Sequence, residues 1–83
     1  MKIFSRGTLR DFWERHGDCE LQLKTWYQEI EKSNWTSINE LKNDYPSASI
    51  LKENRIVFNI KGNNYRLIVK FSFEYQLGWI RFI

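Results

Sequence analysis

Arg66, Lys70 and Arg81 lie in a stretch of alternating polar and apolar residues, and their types suit work on phosphate. Arg66 and Lys70 are four apart, so on an extended strand they share one face. Arg55 and Asn59 repeat that spacing upstream. A guanidinium is a planar fork that matches paired phosphate oxygens. Cleaving RNA without a metal requires a base for the 2′-hydroxyl, positive donors for the phosphorane and an acid for the leaving oxygen. Arg66, Lys70 and Arg81 are candidates for the donors. Trp79 falls on the same predicted face and is a candidate for stacking on a base. Packing against a further segment or a partner accounts for Trp79 equally well.

These side chains need a stiff platform, and the sequence supplies one. Arg55 to Lys70 reads as two strands joined at Gly62-Asn63, a two-residue hairpin signal. Folded there, Ile60 meets Tyr65, Phe58 meets Leu67 and Ile56 meets Val69 on one face. Asn59 meets Arg66, Val57 meets Ile68 and Arg55 meets Lys70 on the other. A slip of one residue would turn the cations into the core, so the register is strongly specified. A second turn is expected at Tyr75-Gln76-Leu77-Gly78, followed by a third strand from Trp79 to Ile83. With Glu74 opposite Trp79, Ser72 faces Arg81, while Phe73 and Phe71 face Ile80 and Phe82. The apolar face then holds Ile56, Phe58, Ile60, Tyr65, Leu67, Val69, Phe71, Phe73, Ile80 and Phe82. The open face holds Arg55, Asn59, Arg66, Lys70, Ser72, Glu74, Trp79 and Arg81. This alternation is the mark of an antiparallel sheet covered on one side.

Charge follows the same division. Residues 1–54 carry eight Lys/Arg and nine Asp/Glu, whereas residues 55–83 carry five Lys/Arg and only Glu74. The excess therefore sits on the predicted sheet, as in a polyanion binder. A solvated face with no ligand is the competing account.

The rest of the chain reads as cover for that sheet. Met1 to Ser5 is a short first strand. Thr8 and Asp11 form a possible cap for a helix carrying Leu9, Phe12 and Trp13, stopped by Gly17. A second helix is expected from about Asp18 to Lys32, burying Cys19, Leu23, Trp26, Tyr27 and Ile30. Ser37 and Glu40 have capping-box spacing ahead of a short third helix that ends before Pro46. Ser47 to Asn54 is a connector, with Ile50-Leu51 a possible brief strand. Helices segregated from strands predict one α+β domain over 1–83. Eighty-three residues bury roughly 60–65% of their unfolded surface, and 17% aromatics compensate with large buried rings.

Several chemistries find no support. Cys19 is the single cysteine, which excludes an internal disulfide and a cysteine-based zinc site. His16 is the single histidine and sits where a helix ends, a common surface position. No cluster of metal ligands and no Gly-rich phosphate loop occurs. Asn34-Trp35-Thr36 matches a glycosylation sequon that an intracellular chain does not use. Without a signal peptide or a long apolar run, the chain is expected to be cytoplasmic.

Val57-Phe58-Asn59-Ile60, Gly62-Asn63-Asn64-Tyr65-Arg66-Leu67 and Trp79-Ile80-Arg81-Phe82-Ile83 resemble the HigB-type toxins of bacterial type II toxin–antitoxin systems. Ser37-Ile38-Asn39-Glu40-Leu41-Lys42 and Tyr45-Pro46-Ser47-Ala48 are similar to that family too. The likeness covers nearly the whole chain. It implies a RelE-like α+β fold, with an N-terminal strand and two or three helices on one face of a C-terminal three-stranded meander. It implies a metal-independent endoribonuclease, an mRNA interferase acting on the translating ribosome, without a cofactor. The implied partners are mRNA, the ribosome and a helix-turn-helix, HigA-like antitoxin, with operator DNA bound only by the toxin–antitoxin complex.

Asn59, Asn63, Arg66 and Arg81 match the family pattern, and Lys70 joins them by geometry. The resulting catalytic set is Arg66, Arg81 and Lys70. The RNA contacts are Arg55, Asn59, Lys61, Asn63 and Trp79. Members of the family usually continue past the Ile-Arg-Phe-Ile strand with Gly-Thr-His and a Tyr-Asp pair, natural acid–base groups. Either that tail follows Ile83 in the full protein or the chain is a shortened relative, and if it ends at Ile83 weak or no cleavage is expected. Two other functions fit the same basic face: a non-catalytic RNA- or ribosome-binding module, and a protein-interaction domain whose charge is incidental.

Overall fold

The computed structural model describes residues 1–83. Strand β1 (Lys2–Phe4) leads into helix α1 (Arg6–Arg15), and a single 3-10 turn precedes α2 (Glu20–Lys32). Helix α3 (Ile38–Asp44), the short β2 (Ser49–Ile50) and strands β3 (Arg55–Ile60), β4 (Tyr65–Ser72) and β5 (Leu77–Phe82) follow. The fold is α+β, but the sheet is wider than the expected three strands. It has five, in the order β1-β5-β4-β3-β2. β1 pairs parallel to β5 and the remaining neighbours are antiparallel, so the sheet is mixed.

The first hairpin has the register expected from parity. Arg55 faces Lys70, Asn59 faces Arg66 and Ile60 faces Tyr65. The ladder stops at Ile60 and Tyr65, so Lys61–Asn64 form the loop, closed by the Asn64 amide donating to the Lys61 carbonyl at 3.3 Å. Both Lys61 and Gly62 take positive φ, 52° and 66°.

The second turn is not where the glycine suggested. Ser72 pairs with Leu77, Lys70 with Trp79 and Val69 with Ile80, so the turn is Phe73–Gln76. Gly78 is needed inside the strand instead. A Cβ there would stand 2.8 Å from Ile3 Cδ1 and 3.1 Å from the Phe71 ring. Gln76 takes the left-handed conformation (φ 57°) in its place. Its amide donates to the carbonyls of Trp35 (2.7 Å) and Phe73 (2.8 Å), which holds the turn against the helical layer.

Other boundaries shift for similar reasons. α1 begins at Arg6, not after Thr8, because Ser5 (φ 69°) turns the chain sharply out of β1 and its carbonyl accepts from the Thr8 amide at 3.0 Å. The Ser37 cap forms as expected: its hydroxyl accepts from the Glu40 amide, and the Glu40 carboxylate reaches back to the Thr36 amide at 2.7 Å. Lys42 anchors the following connector by donating to the Pro46 and Ala48 carbonyls.

All three helices contribute to one core against the sheet. Leu9 and Trp13 from α1, Leu23, Trp26 and Ile30 from α2, and Leu41 from α3 cluster with Ile56, Phe58, Ile60, Leu67, Val69, Phe71 and Ile80. Rings tie the layers together edge-to-face, Trp26 on Phe58 at 5.3 Å and Tyr45 on Phe58 at 5.1 Å. Phe82 departs from the expected face and is 66% exposed. The cause is a bulge: Val69 pairs with Ile80 but Ile68 pairs with Phe82, which makes Arg81 the extra residue and reverses the alternation after it.

A polar latch joins the hairpin tip to the helical layer. Asp18 accepts from the Tyr65 hydroxyl at 2.8 Å and from Lys61 at 3.0 Å. These two donors hold the Asp18 carboxyl below its ordinary 3.8, and the Asp18 bond raises the Tyr65 phenol. Phe12 packs edge-on against Tyr65 at 5.4 Å and stacks on His16 at 4.4 Å.

Two outcomes are expected. Leu67 is fully buried at the centre of the core, so Leu67→Asp leaves an unpaired charge there. Circular dichroism should show no cooperative melt, and a wild-type melting temperature would refute the face assignment. For the latch, the carboxylate form of Asp18 is the one that folding favours. Its stabilisation is present above the unfolded value of 3.8 and is lost as pH falls through the lower folded value. Asp18→Asn should be less stable than wild type at pH 7, with the gap narrowing in denaturant titrations as pH drops below about 3.8. A gap that stays constant into strong acid would exclude the latch.

Candidate functional site

The uncovered sheet face collects side chains from all five strands. Following the pairings, one row across the sheet reads Phe4, Trp79, Lys70, Arg55. Beside it, on one flank, lie Lys2, Leu77 and Ser72. On the other lie Phe82, Ile68, Val57 and Ser49, then Arg66 and Asn59. None of these residues is acidic. The face is thus an apolar and aromatic strip bordered by cations.

The candidate donors stand free. Arg66 and Arg81 are exposed and Lys70 is half-buried, and none of the three makes a hydrogen bond or ion pair within the chain. Arg66 and Lys70 lie on β4 as anticipated. Arg81 does not face Ser72; it sits in the bulge beside Ile68. Arg55 donates through Nε to the Lys52 carbonyl at 3.2 Å, and the Asn59 amide reaches the Ser47 carbonyl at 3.4 Å. Asn63 is exposed in the hairpin loop. Glu74 belongs to the β4–β5 turn, outside the strands.

Lys61 lies apart from this group. Its ammonium is engaged with Asp18 in the latch, on the helical side of the hairpin tip. His16 is on that side as well, stacked on Phe12 and edge-on to Tyr65. The open face therefore holds charge and rings but no imidazole, carboxylate or phenol. No three His, Cys, Asp or Glu side chains gather as metal ligands.

A cleft of about 490 Å³ on the helical side is lined by Glu29, Lys32, Ser33, Trp35, Asp44 and Tyr45. Its polar groups largely satisfy one another. Trp35 Nε1 donates to Asp44 at 2.8 Å, and the Tyr45 hydroxyl donates to Glu29 at 2.6 Å. Burial pushes the Tyr45 phenol well up, which keeps it a donor.

Ser49, Leu77 and Phe82 are members of the face that the sequence alone does not place, and so are Lys2 and Phe4. Their alternation with the buried Ile3 was visible, but pairing of β1 with β5 depends on the tertiary fold. Phe4 and Trp79 stack with centroids 5.9 Å apart and planes 18° from parallel, and Lys2 Nζ lies 5.2 Å from the centre of the Phe4 ring.

The family model HigB_toxin, described as the RelE-like toxic component of a toxin–antitoxin system, matches residues 19–83. That span contains α2, α3 and strands β2 to β5. Comparison with curated proteins gives no match. No helix is long and apolar enough to cross a membrane.

If Arg66, Lys70 and Arg81 contact phosphates, each releases about 0.7 counterion from a single strand. Replacing all three with alanine should lower the slope of log affinity against log salt by about 2, measured by fluorescence anisotropy with a short RNA. An unchanged slope would shift the contacts to another surface, such as Arg6 and Arg10 on α1.

Proposed function

The chain belongs to the HigB toxin family, the RelE-like toxic components of toxin–antitoxin systems, and from that membership we propose that it is an endoribonuclease halting translation by cutting mRNA on the ribosome. The observation that carries this reading is the set of Arg66, Lys70 and Arg81, unpartnered on a sheet face without a carboxylate. A polyanion meets only attraction there. The apolar strip beside them suits unpaired bases, which stack on rings whatever their sequence.

The reaction proposed is the metal-independent one. The 2′-hydroxyl gives up its proton to water as its oxygen attacks phosphorus, the bond to the 5′-oxygen breaks, and that oxygen takes a proton from water, which leaves a cyclic phosphate and a free 5′-hydroxyl. Negative charge grows on the non-bridging oxygens, and Arg66 with Lys70 and Arg81 would stabilise it. Arg55, Asn59, Asn63 and Trp79 are the proposed RNA contacts, while Lys61 is held away from them by Asp18. The strands place no imidazole, carboxylate or phenol on this face to move those protons.

That gap favours a second reading, a non-catalytic RNA- or ribosome-binding module on the same face. In both readings the protein works in the cytoplasm and is held in check by a helix-turn-helix, HigA-like antitoxin. The toxin–antitoxin complex would bind its operator DNA.

Arg66→Ala separates structure from chemistry. As an exposed residue with no protein partner, Arg66 should contribute within about ±0.5 kcal/mol to stability. As a donor to the transition state it should be worth about 2.7–4 kcal/mol, a hundred- to thousandfold in rate. Growth arrest on induction and primer extension on ribosome-bound message measure the effect. A well-folded Arg66→Ala protein with wild-type cleavage would sink the assignment. Wild type that arrests translation and binds ribosomes without cutting message would establish the second reading.

A further inference from the structure

The row Phe4–Trp79–Lys70–Arg55 crosses four neighbouring strands, and its β1 end lies outside the matched span 19–83. At that end three side chains form a column: the Lys2 ammonium 5.2 Å from the Phe4 ring centre, and Phe4 stacked on Trp79 at 5.9 Å. Trp79 is half-buried, unlike Trp13, Trp26 and Trp35, which are in the core. Phe4 is half-buried as well, and neither ring belongs to the core, so each keeps part of its surface on the open face. With Phe82 and Ile68 beside them they form one contiguous apolar patch, the kind of surface that marks an interaction site.

The surrounding charge indicates what covers them. Lys2 is the cationic end of the column on one side, and Lys70 and Arg55 continue the row beyond Trp79 on the other. No strand residue of this face is an acid. A purely apolar partner would leave these cations desolvated and unpaired. A single-stranded nucleic acid satisfies both features at once, with its bases on the rings and its phosphates on the cations.

We propose that Phe4 and Trp79 form a base-stacking subsite for single-stranded RNA, with Lys2 and Lys70 holding the adjoining phosphates. The subsite takes an unpaired base, and it favours adenine over uracil because stacking grows with ring area. It extends the RNA surface one strand beyond β5 onto β1, so the amino-terminal strand contributes to substrate binding. This inference rests on the proposed RNA-binding role of the open face.

The test uses two 2′-O-methyl decamers, one of adenosine and one of uridine, which cannot be cut through the 2′-oxygen. Heparin serves as a polyanion without bases. Phe4→Leu and Trp79→Leu retain apolar bulk but remove the ring, and Trp79→Phe restores one. Melting temperatures establish folding. Wild type should bind the adenosine decamer more tightly than the uridine decamer, with quenching of tryptophan emission. The leucine variants should lose roughly fivefold to a hundredfold in affinity for the adenosine decamer, together with the preference over uridine. Their heparin affinity should stay at the wild-type level, and Trp79→Phe should regain most of the adenosine affinity.

Leucine variants that bind both decamers like wild type would overturn the subsite. If Arg66→Ala and Lys70→Ala still weaken the decamers in that case, the open face remains the RNA surface and only the stacking inference fails. An equal loss for heparin would also overturn it, since the rings would then only support the charge. Wild type that binds neither decamer would overturn the subsite and the RNA-binding reading together.

Discussion

Strand parity is the constraint on which the rest of this structure depends. Side chains on a strand alternate between faces, so burying Ile56, Phe58 and Ile60 commits Arg55, Val57 and Asn59 to the other side. The same holds for Leu67, Val69 and Phe71 against Arg66, Ile68 and Lys70. No separate force is needed to bring the cations together. They are gathered because the hydrophobic face must be buried, and the rings of Trp26, Trp35 and Tyr45 lock that face to the helices. The charge pattern of the open face is a by-product of core packing.

The bulge at Arg81 is the one place where alternation is broken within the meander. Its effect is local but consequential. Beyond it Phe82 lies on the open side instead of adding to the core, and Arg81 is freed from any cross-strand partner. Bulges recur near functional surfaces because they re-aim side chains without disturbing the strands around them. The hairpin tip shows the opposite treatment of a cation: Lys61 is drawn back to Asp18 and joins the scaffold.

Parity also decides what was legible in the sequence. The β3–β4 pairing followed from apolar spacing alone, since only one register buries Phe58 and Leu67 together. Reading Gly78 as a turn residue places β5 four residues from its observed register. Its real task, admitting Ile3 and Phe71 on either flank, exists only once β1 and β4 are in place. Four is even, so the error left Trp79 and Ile80 on their correct faces. The bulge shifts the count by one, and there Phe82 was misplaced. Short-range signals gave the Ser37 cap but missed the Ser5 turn, whose positive φ is imposed by the passage from sheet to helix. The free cations on β4 could be read from spacing. The ion pair that removes Lys61, and the arrival of Lys2 and Phe4, depend on contacts between segments far apart in sequence.

That last distance has a kinetic meaning. The sheet places β1 beside β5, so the pair at its edge joins the beginning of the chain to residues more than seventy positions later. Such non-local closure makes folding slow, because the loop entropy is lost before the contacts repay it. During synthesis, at about 5–20 residues per second, Phe4 waits several seconds for Trp79 to be made. The β3–β4 hairpin can form first, on local contacts. A nascent chain thus carries Arg66 and Lys70 before β5 can close with β1 at the edge of the sheet.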